Sequence, residues 1–285
     1  VSSPPSTSNT AVAVMGALTY NSGYNTSNWS GSLKAYELNQ DGSLGASAIW
    51  DVDGKLKARA ESSRDIYTSV YQNVDCSGTA PIGGTFDKGI AFAAGAALDC
   101  WQQAGLESPA LAGGDDTLNN RISYLRGDAS NEGAVYRTRL DGAGDHWKLG
   151  AIIRSSPTYV AAPSGDYRNI WPSGAPEGAA GAPSYSDFRN SSTRTGTIYV
   201  GANDGMLHAF SSPAPNCDYT VTPPSCSFSG SGGEELWAYV PRAVYTNLGN
   251  LTAKDFTFRP TVDAIAIARD VFYGNQWRTL LVGGV

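Results

Sequence analysis

Thr197-Ile-Tyr-Val-Gly-Ala-Asn-Asp-Gly-Met-Leu-His-Ala-Phe210, followed after an interruption by Gly233-Glu-Glu-Leu-Trp-Ala-Tyr-Val-Pro241, reads as strand, tight turn, strand, loop, strand. Ile198, Val200 and Ala202 fall on one face of a period-two strand, and Asn203-Asp204-Gly205 supplies the turn. Leu207, Ala209 and Phe210 begin the return strand, and residues 236–240 alternate again as an outer one. A four-stranded unit of this kind cannot bury both faces alone, so it predicts neighbours stacked around an axis, as in a β-propeller.

A second copy lies near the start. Trp29-Ser-Gly-Ser-Leu-Lys-Ala-Tyr-Glu-Leu38 runs through the turn Asn39-Gln-Asp-Gly42 and ends on Ala48-Ile-Trp50. Both copies share the order Gly, x, Leu, x, Ala, aromatic: Gly31, Leu33, Ala35, Tyr36 in one and Gly205, Leu207, Ala209, Phe210 in the other. Each later ends on an aliphatic residue and a tryptophan, Ile49-Trp50 and Leu236-Trp237. The doubled pattern predicts an all-β, partial propeller of the quinoprotein-like kind, in which an outer-strand tryptophan docks on the neighbouring blade.

Composition fits a turn-rich β protein. Charged residues are 16% of the chain, against about 25% in ordinary domains. The net charge of -6 and the lack of a Lys/Arg cluster argue against a nucleic-acid groove. No apolar run approaches the roughly 20 residues of a membrane span. Cys76 with Cys100 and Cys217 with Cys226 form two local pairs without metal-ligand spacing, which favours disulfides over free thiols or metal and an extracytoplasmic location.

Along the chain, residues 1–10 read as a disordered lead-in and 11–285 as the N-terminal part of a propeller domain. Residues 11–20 read as a strand, and Arg64-Asp-Ile-Tyr-Thr-Ser-Val-Tyr71 as the start of another blade. Residues 76–131 read as a helical and loop insertion, with Leu118, Ile122 and Leu125 on one helical face. A Gly/Pro/Ser/Ala-rich loop covers 161–194, and two more strands are expected over 259–273 and 277–285. The final strand lacks its onward partner and the start lacks a signal peptide, so the pattern predicts a mature or excised front part of a longer propeller.

These residues also carry a family resemblance. Tyr124-Leu-Arg-Gly-Asp128 with Asn131-Glu132 and Arg137 precedes Leu149-Gly-x-Ile-Ile-x-Ser-Ser-Pro-x-Tyr-Val160. Tyr199 to Phe210, Glu235-Leu-Trp-Ala-Tyr-Val-Pro241 and Trp277-x-Thr-Leu-Leu-Val-Gly-Gly284 then follow in order. This ordered string, from about residue 15 to 285, resembles the propeller domain of the PilY family. The resemblance implies a non-enzymatic protein of the type IV pilus tip, reaching the cell surface or outer membrane through the periplasm. It implies minor pilins as partners, support of pilus assembly against retraction, and a part in twitching motility and in adhesion to host or abiotic surfaces.

Calcium-binding members use an Asp-rich loop in a later part of the propeller, so the resemblance implies no cofactor in this chain and calcium only in that later part. Asn39 to Gly42 and Asp51-Val-Asp-Gly54 hold too few carboxylates for an oxygen cage and read as hairpin turns. Arg126-Gly127-Asp128 is an integrin-type tripeptide, but it follows an expected helix, where Gly127 makes a C-terminal stop and Asp128 a turn residue. Asn203-Asp204-Gly205 reads as a turn rather than an acid site, and His208 as a packed or rim histidine. Tyr167, Trp171, Tyr185 and Phe188 dot the long loop and are interface anchors or flank cover. A generic surface adhesin is the first alternative. A quinoprotein dehydrogenase is the second, disfavoured because the closest cysteines are nine residues apart and no Gly-x-Ser-x-Gly nucleophile motif is present.

Overall fold

The computed structural model describes residues 6–7, 18–39, 41–77, 84–218, 220–221, 225–228 and 232–285. The first sheet is a meander of β1 (Ser6–Thr7), β2 (Leu18–Tyr24), β3 (Gly31–Glu37) and β4 (Trp50–Asp51), each strand antiparallel to the next. Strand β3 alternates buried and half-buried residues, as expected of a strand with one face on a core. The lead-in assigned to residues 1–10 lies outside the described residues except for Ser6–Thr7, which pair with Tyr20 and Thr19.

Past β4 the chain turns directly into α1 (Val52–Ala58). The Asp51 carboxylate accepts the Asp53 N–H at 2.9 Å, and Lys57 pairs with Asp53 one turn on. Asp51-Val-Asp-Gly54, expected to be a hairpin turn, is therefore a capped helix start. Then come β5 (Ile66–Gln72), β6 (Thr85–Ala91), α2 (Cys100–Leu106) and α3 (Leu118–Arg126). Helix α2 opens on an Asp99/Gln102 capping box, and α3 closes on Gly127, which is left-handed at φ 118°.

The remaining elements are β7 (Thr158–Val160), α4 (Tyr185–Ser191), β8 (Thr197–Ala202), β9 (Met206–Ser211), β10 (Asn216–Asp218), β11 (Ser225–Ser227), β12 (Glu235–Val240), α5 (Tyr245–Leu248), β13 (Ile267–Tyr273) and β14 (Gln276–Val282). Strands β7, β8, β9 and β12 form a second antiparallel meander, with Asn203 to Gly205 turning β8 into β9. Strands β5 and β6 extend that sheet rather than starting one of their own. Ile66 to Thr68 lie parallel to Ala238 to Val240, giving the order β6-β5-β12-β9-β8-β7. Strands β13 and β14 form a hairpin, so residues 259–266, expected to be strand, lead into it instead. Among the described residues the fold is strand-dominated with five α-helices, three of them outside residues 76–131. It is a mixed fold rather than an all-β one, and these sheets do not by themselves close a ring.

The two meanders pack face to face. Residues directly opposite on paired strands share a face, so Tyr20, Ala35 and Trp50 line one side of the first sheet together with Leu18 and Leu33. They bury against Ile198, Val200, Ala202 and Phe210 of the second. Trp50 is 4% exposed, with Tyr20 at 5.7 Å between ring centroids. Its indole lies on Gly232 and Gly233, just before β12. A Cβ on Gly232 would come within 2.2 Å of the indole nitrogen, so only a glycine admits the ring. A second core joins the β5 and β12 end of the sheet to the helices through Ile66, Val240, Leu106, Ile122, Tyr245 and Leu248.

Two substitutions test this packing. Trp50→Ala removes a buried indole and is expected to cost about 3–5 kcal/mol. Gly232→Ala forces the same ring outward and is expected to cost about 1–3 kcal/mol. Urea unfolding of each variant measures both. Losses under about 0.5 kcal/mol, the range of ordinary surface substitutions, would contradict the docking.

Candidate functional site

The second meander holds a buried chain of charges. Strand alternation and pairing place His208 opposite Val200, on the face that packs against the first sheet. Its ring stacks on Phe210 at 5.5 Å and is wholly buried. Nδ1 lies 2.8 Å from Glu235 Oε1, and Nε2 lies 3.1 Å from Asp204 Oδ2. Arg64, just before β5, completes the chain by donating Nε and Nη2 to the two Glu235 oxygens at 2.7 and 2.8 Å. Asp204 also accepts the Gly150 N–H at 2.8 Å and the Met206 N–H at 3.1 Å.

Burial alone would lower the His208 pKa, but the Asp204 and Glu235 carboxylates outweigh it and hold it up to about 9. Burial likewise pushes Glu235 upward, and Arg64 and His208 overcome that to hold it well below the usual carboxylate range. Each cation here has a carboxylate and each carboxylate a cation. The arrangement is chemically suited to holding strands in register. The His208 ring has no exposed surface through which a substrate could reach it. His208 is therefore a charged lock, which reading it as packed or at a rim did not foresee. The turn at Asn203 to Gly205 likewise does more than turn: Asn203 Nδ2 donates to Ala151 O at 2.9 Å and Oδ1 accepts the Thr261 N–H at 2.8 Å.

The aromatic residues of the long loop come together. Tyr167, Tyr185 and Trp171 surround Trp277 of β14 at 5.0, 4.9 and 5.7 Å between centroids, and Phe188 lies 5.9 Å from Tyr185. The Tyr185 hydroxyl donates to Asp270 Oδ2 at 2.6 Å, pinning the loop across the β13–β14 hairpin. Tyr185 is 1% exposed while Tyr167 is 42% exposed, so the cluster covers the hairpin and leaves only part of its surface to a partner.

Arg126 of the integrin-type tripeptide points inward. It is 6% exposed, and its guanidinium donates to the carbonyls of Phe92, Glu61 and Arg64, each at 2.7 Å. Asp128 accepts from Ser130 N and Oγ at 2.9 and 2.8 Å, and Gly127 ends the helix. This geometry serves the structure and does not present arginine and aspartate together on a loop tip. Cys76 is bonded to Cys100, and Cys217 to Cys226 across the β10–β11 pair. Among the described residues no group of three or more His, Cys, Asp or Glu side chains is arranged to hold a metal ion, and no helix is long and apolar enough to cross a membrane.

Comparison with curated proteins finds relatives in bacterial pilus systems. The chain is 31% identical over 298 residues to a type IV pilus biogenesis factor PilY1 homolog of Xylella fastidiosa (strain Temecula1), a match covering 98% of this chain and 18% of that protein. It is 30% identical over 275 residues to the type IV pilus biogenesis factor PilY1 of Pseudomonas aeruginosa (strain PAK), covering 90% of this chain and 19% of the relative. The chain thus spans less than a fifth of the length of these relatives. No family model matches it, and no solved structure does.

The charged lock gives stability a pH signature. A histidine whose folded pKa is raised stabilises fully below its unfolded value of about 6.5 and loses that contribution as pH rises through about 9. Urea unfolding of the native protein is expected to show stability falling by about 3 kcal/mol between pH 6.5 and 9.5 from this group. His208→Gln should be less stable at pH 6.5 and should lack that fall; an unchanged slope in the variant would contradict a charged His208.

Proposed function

We propose that this relative of a segment of the PilY1 type IV pilus biogenesis factors forms consecutive blades of a β-propeller in an extracytoplasmic, non-enzymatic pilus biogenesis protein. The observation that carries the reading is the way the two meanders repeat. Trp50 stands opposite Ala35, and Trp237 stands opposite Ala209, so the two tryptophans and the two motif alanines occupy equivalent places. In the first sheet that face is buried against the opposite face of the second. Such a contact joins unlike faces, and repeating it propagates around an axis until a ring closes.

The equivalent face of the second sheet carries Trp237 against Tyr199 at 5.7 Å, both half-buried. That is the place a following blade would occupy. In this reading residues 11–285 are the front part of the propeller, the 161–194 loop decorates it, and residues 76–131 give β6 to its sheet and α2 and α3 to the second core.

The function proposed is binding. Minor pilins are the partners most consistent with the pilus biogenesis role named for the relatives. Twitching motility, adhesion and opposition to retraction would follow from assembly at the pilus tip, and any calcium dependence would lie in parts of the protein beyond these residues. The two disulfides fit passage through an oxidising periplasm to the cell surface.

An in-frame deletion of this segment from the complete protein, made at its native locus, is expected to lower sheared surface pili and twitching zones. Co-purification of the intact protein with the periplasmic domains of the minor pilins is expected to depend on the segment. Normal piliation and motility in the deletion strain would contradict the pilus role.

A further inference from the structure

Beside the charged lock a small cleft opens between residues 124–148, the turn before β3 and residues 251–258, lined by Arg137, Arg139, Lys148 and Asp204 among aromatic rings. Three of these four charges are already engaged. Arg139 meets Glu132 at 2.6 Å, the Lys148 ammonium donates to the carbonyls of Lys57 and Arg59, and Asp204 faces His208. Arg137 is different. Its guanidinium sits 3.8 Å from the centroid of Phe256 and 5.4 Å from that of Trp147. Among the described residues it forms no ion pair, and its Nε has no hydrogen-bond partner.

A half-buried cation without a carboxylate partner is costly, and burial holds the Arg137 pKa below its usual range even though Tyr124 hydrogen-bonds to the side chain. The indole N–H of Trp147, 4% exposed and lining the same cleft, is also without a partner. At the mouth, Trp29 takes a left-handed backbone at φ 63° and stacks on Phe258 at 4.0 Å. Positive φ in a bulky residue is an outlier of the kind that gathers at binding sites.

We infer that this cleft is a binding site for a carboxylate carried on an apolar or aromatic group. Rings flank the Arg137 guanidinium, so its donors project from the edge, the geometry that matches a planar carboxylate. The aromatic walls of Trp29, Phe256 and Phe258 suit the apolar body behind the carboxylate. The site stands apart from the pilus assignment, since it rests on Arg137 Nε and the Trp147 indole N–H, both without a partner, and on their surroundings.

The test uses the full chain labelled with nitrogen-15 in tryptophan and arginine, titrated with 3-phenylpropionate, with its neutral analogue 3-phenylpropanamide and with inorganic phosphate. Saturable shifts of the Trp147 indole N–H and the Arg137 Nε–H with the acid, and not with the amide, are expected. Arg137→Lys should weaken the acid about tenfold, because an ammonium lacks the flat paired donors. No saturable shift with the acid, equal shifts with the amide, or tighter binding of phosphate would overturn the proposal. The acid and amide comparison needs no variant, so it decides even where Arg137→Lys fails to fold.

Discussion

The carboxylate of Glu235 has no solvent-exposed surface, and what surrounds it fixes much of the molecule. An ion in that position must be paired on every side, because its desolvation is compensated only by close opposite charge and well-aimed hydrogen bonds. Arg64 arrives from the segment before β5, His208 from β9, and Asp204 extends the chain into the β8–β9 turn. Arg64 also donates to the carbonyl of Arg126, tying the end of α3 to the same point. The parallel register of β5 on β12 is thereby set by charge as well as by the backbone ladder. Losing one partner would leave the others buried and unpaired, which makes the register hard to shift.

The same strand carries the contact between sheets. Gly232 and Gly233, separated from Glu235 only by Glu234, receive the indole of Trp50, so the outer strand of the second meander is fixed by an ion chain on one flank and a docked ring on the other. Rigidity of this kind suits a scaffold. Loops can diverge while the sheet beneath them stays in place, and the long loop over β13–β14 illustrates the arrangement, held down through Tyr185 and Asp270.

Local pairing was legible in the sequence and distant pairing was not. The two meanders, their turns, the docking role of an outer-strand tryptophan and the cysteine pairs follow from residue order, because hairpins and short loops join neighbours in the chain. The addition of β5 beside β12 joins residues about 170 positions apart, as Ile66 and Ala238 do, and period-two alternation says nothing about which strands meet. The start of α1 was hidden because Asp51-Val-Asp-Gly54 contains the same residues that make turns; only the Asp51 cap and the Asp53–Lys57 pair resolve it. His208 looked apolar by position, between Met206 and Phe210, and its charge depends on Asp204 four residues away and Glu235 across the sheet. The Arg137 cleft had no sequence signal beyond a lone arginine, since Phe256 and Trp147 reach it from separate segments.

The two repeated meanders, stacked unlike face to unlike face, are proposed to be consecutive blades. A structure of the complete protein tests this most directly. A further sheet packed against the Tyr199 and Trp237 face of the second meander is expected, with all the sheets arranged about one axis. A closed two-sheet sandwich with that face left in solvent would contradict it.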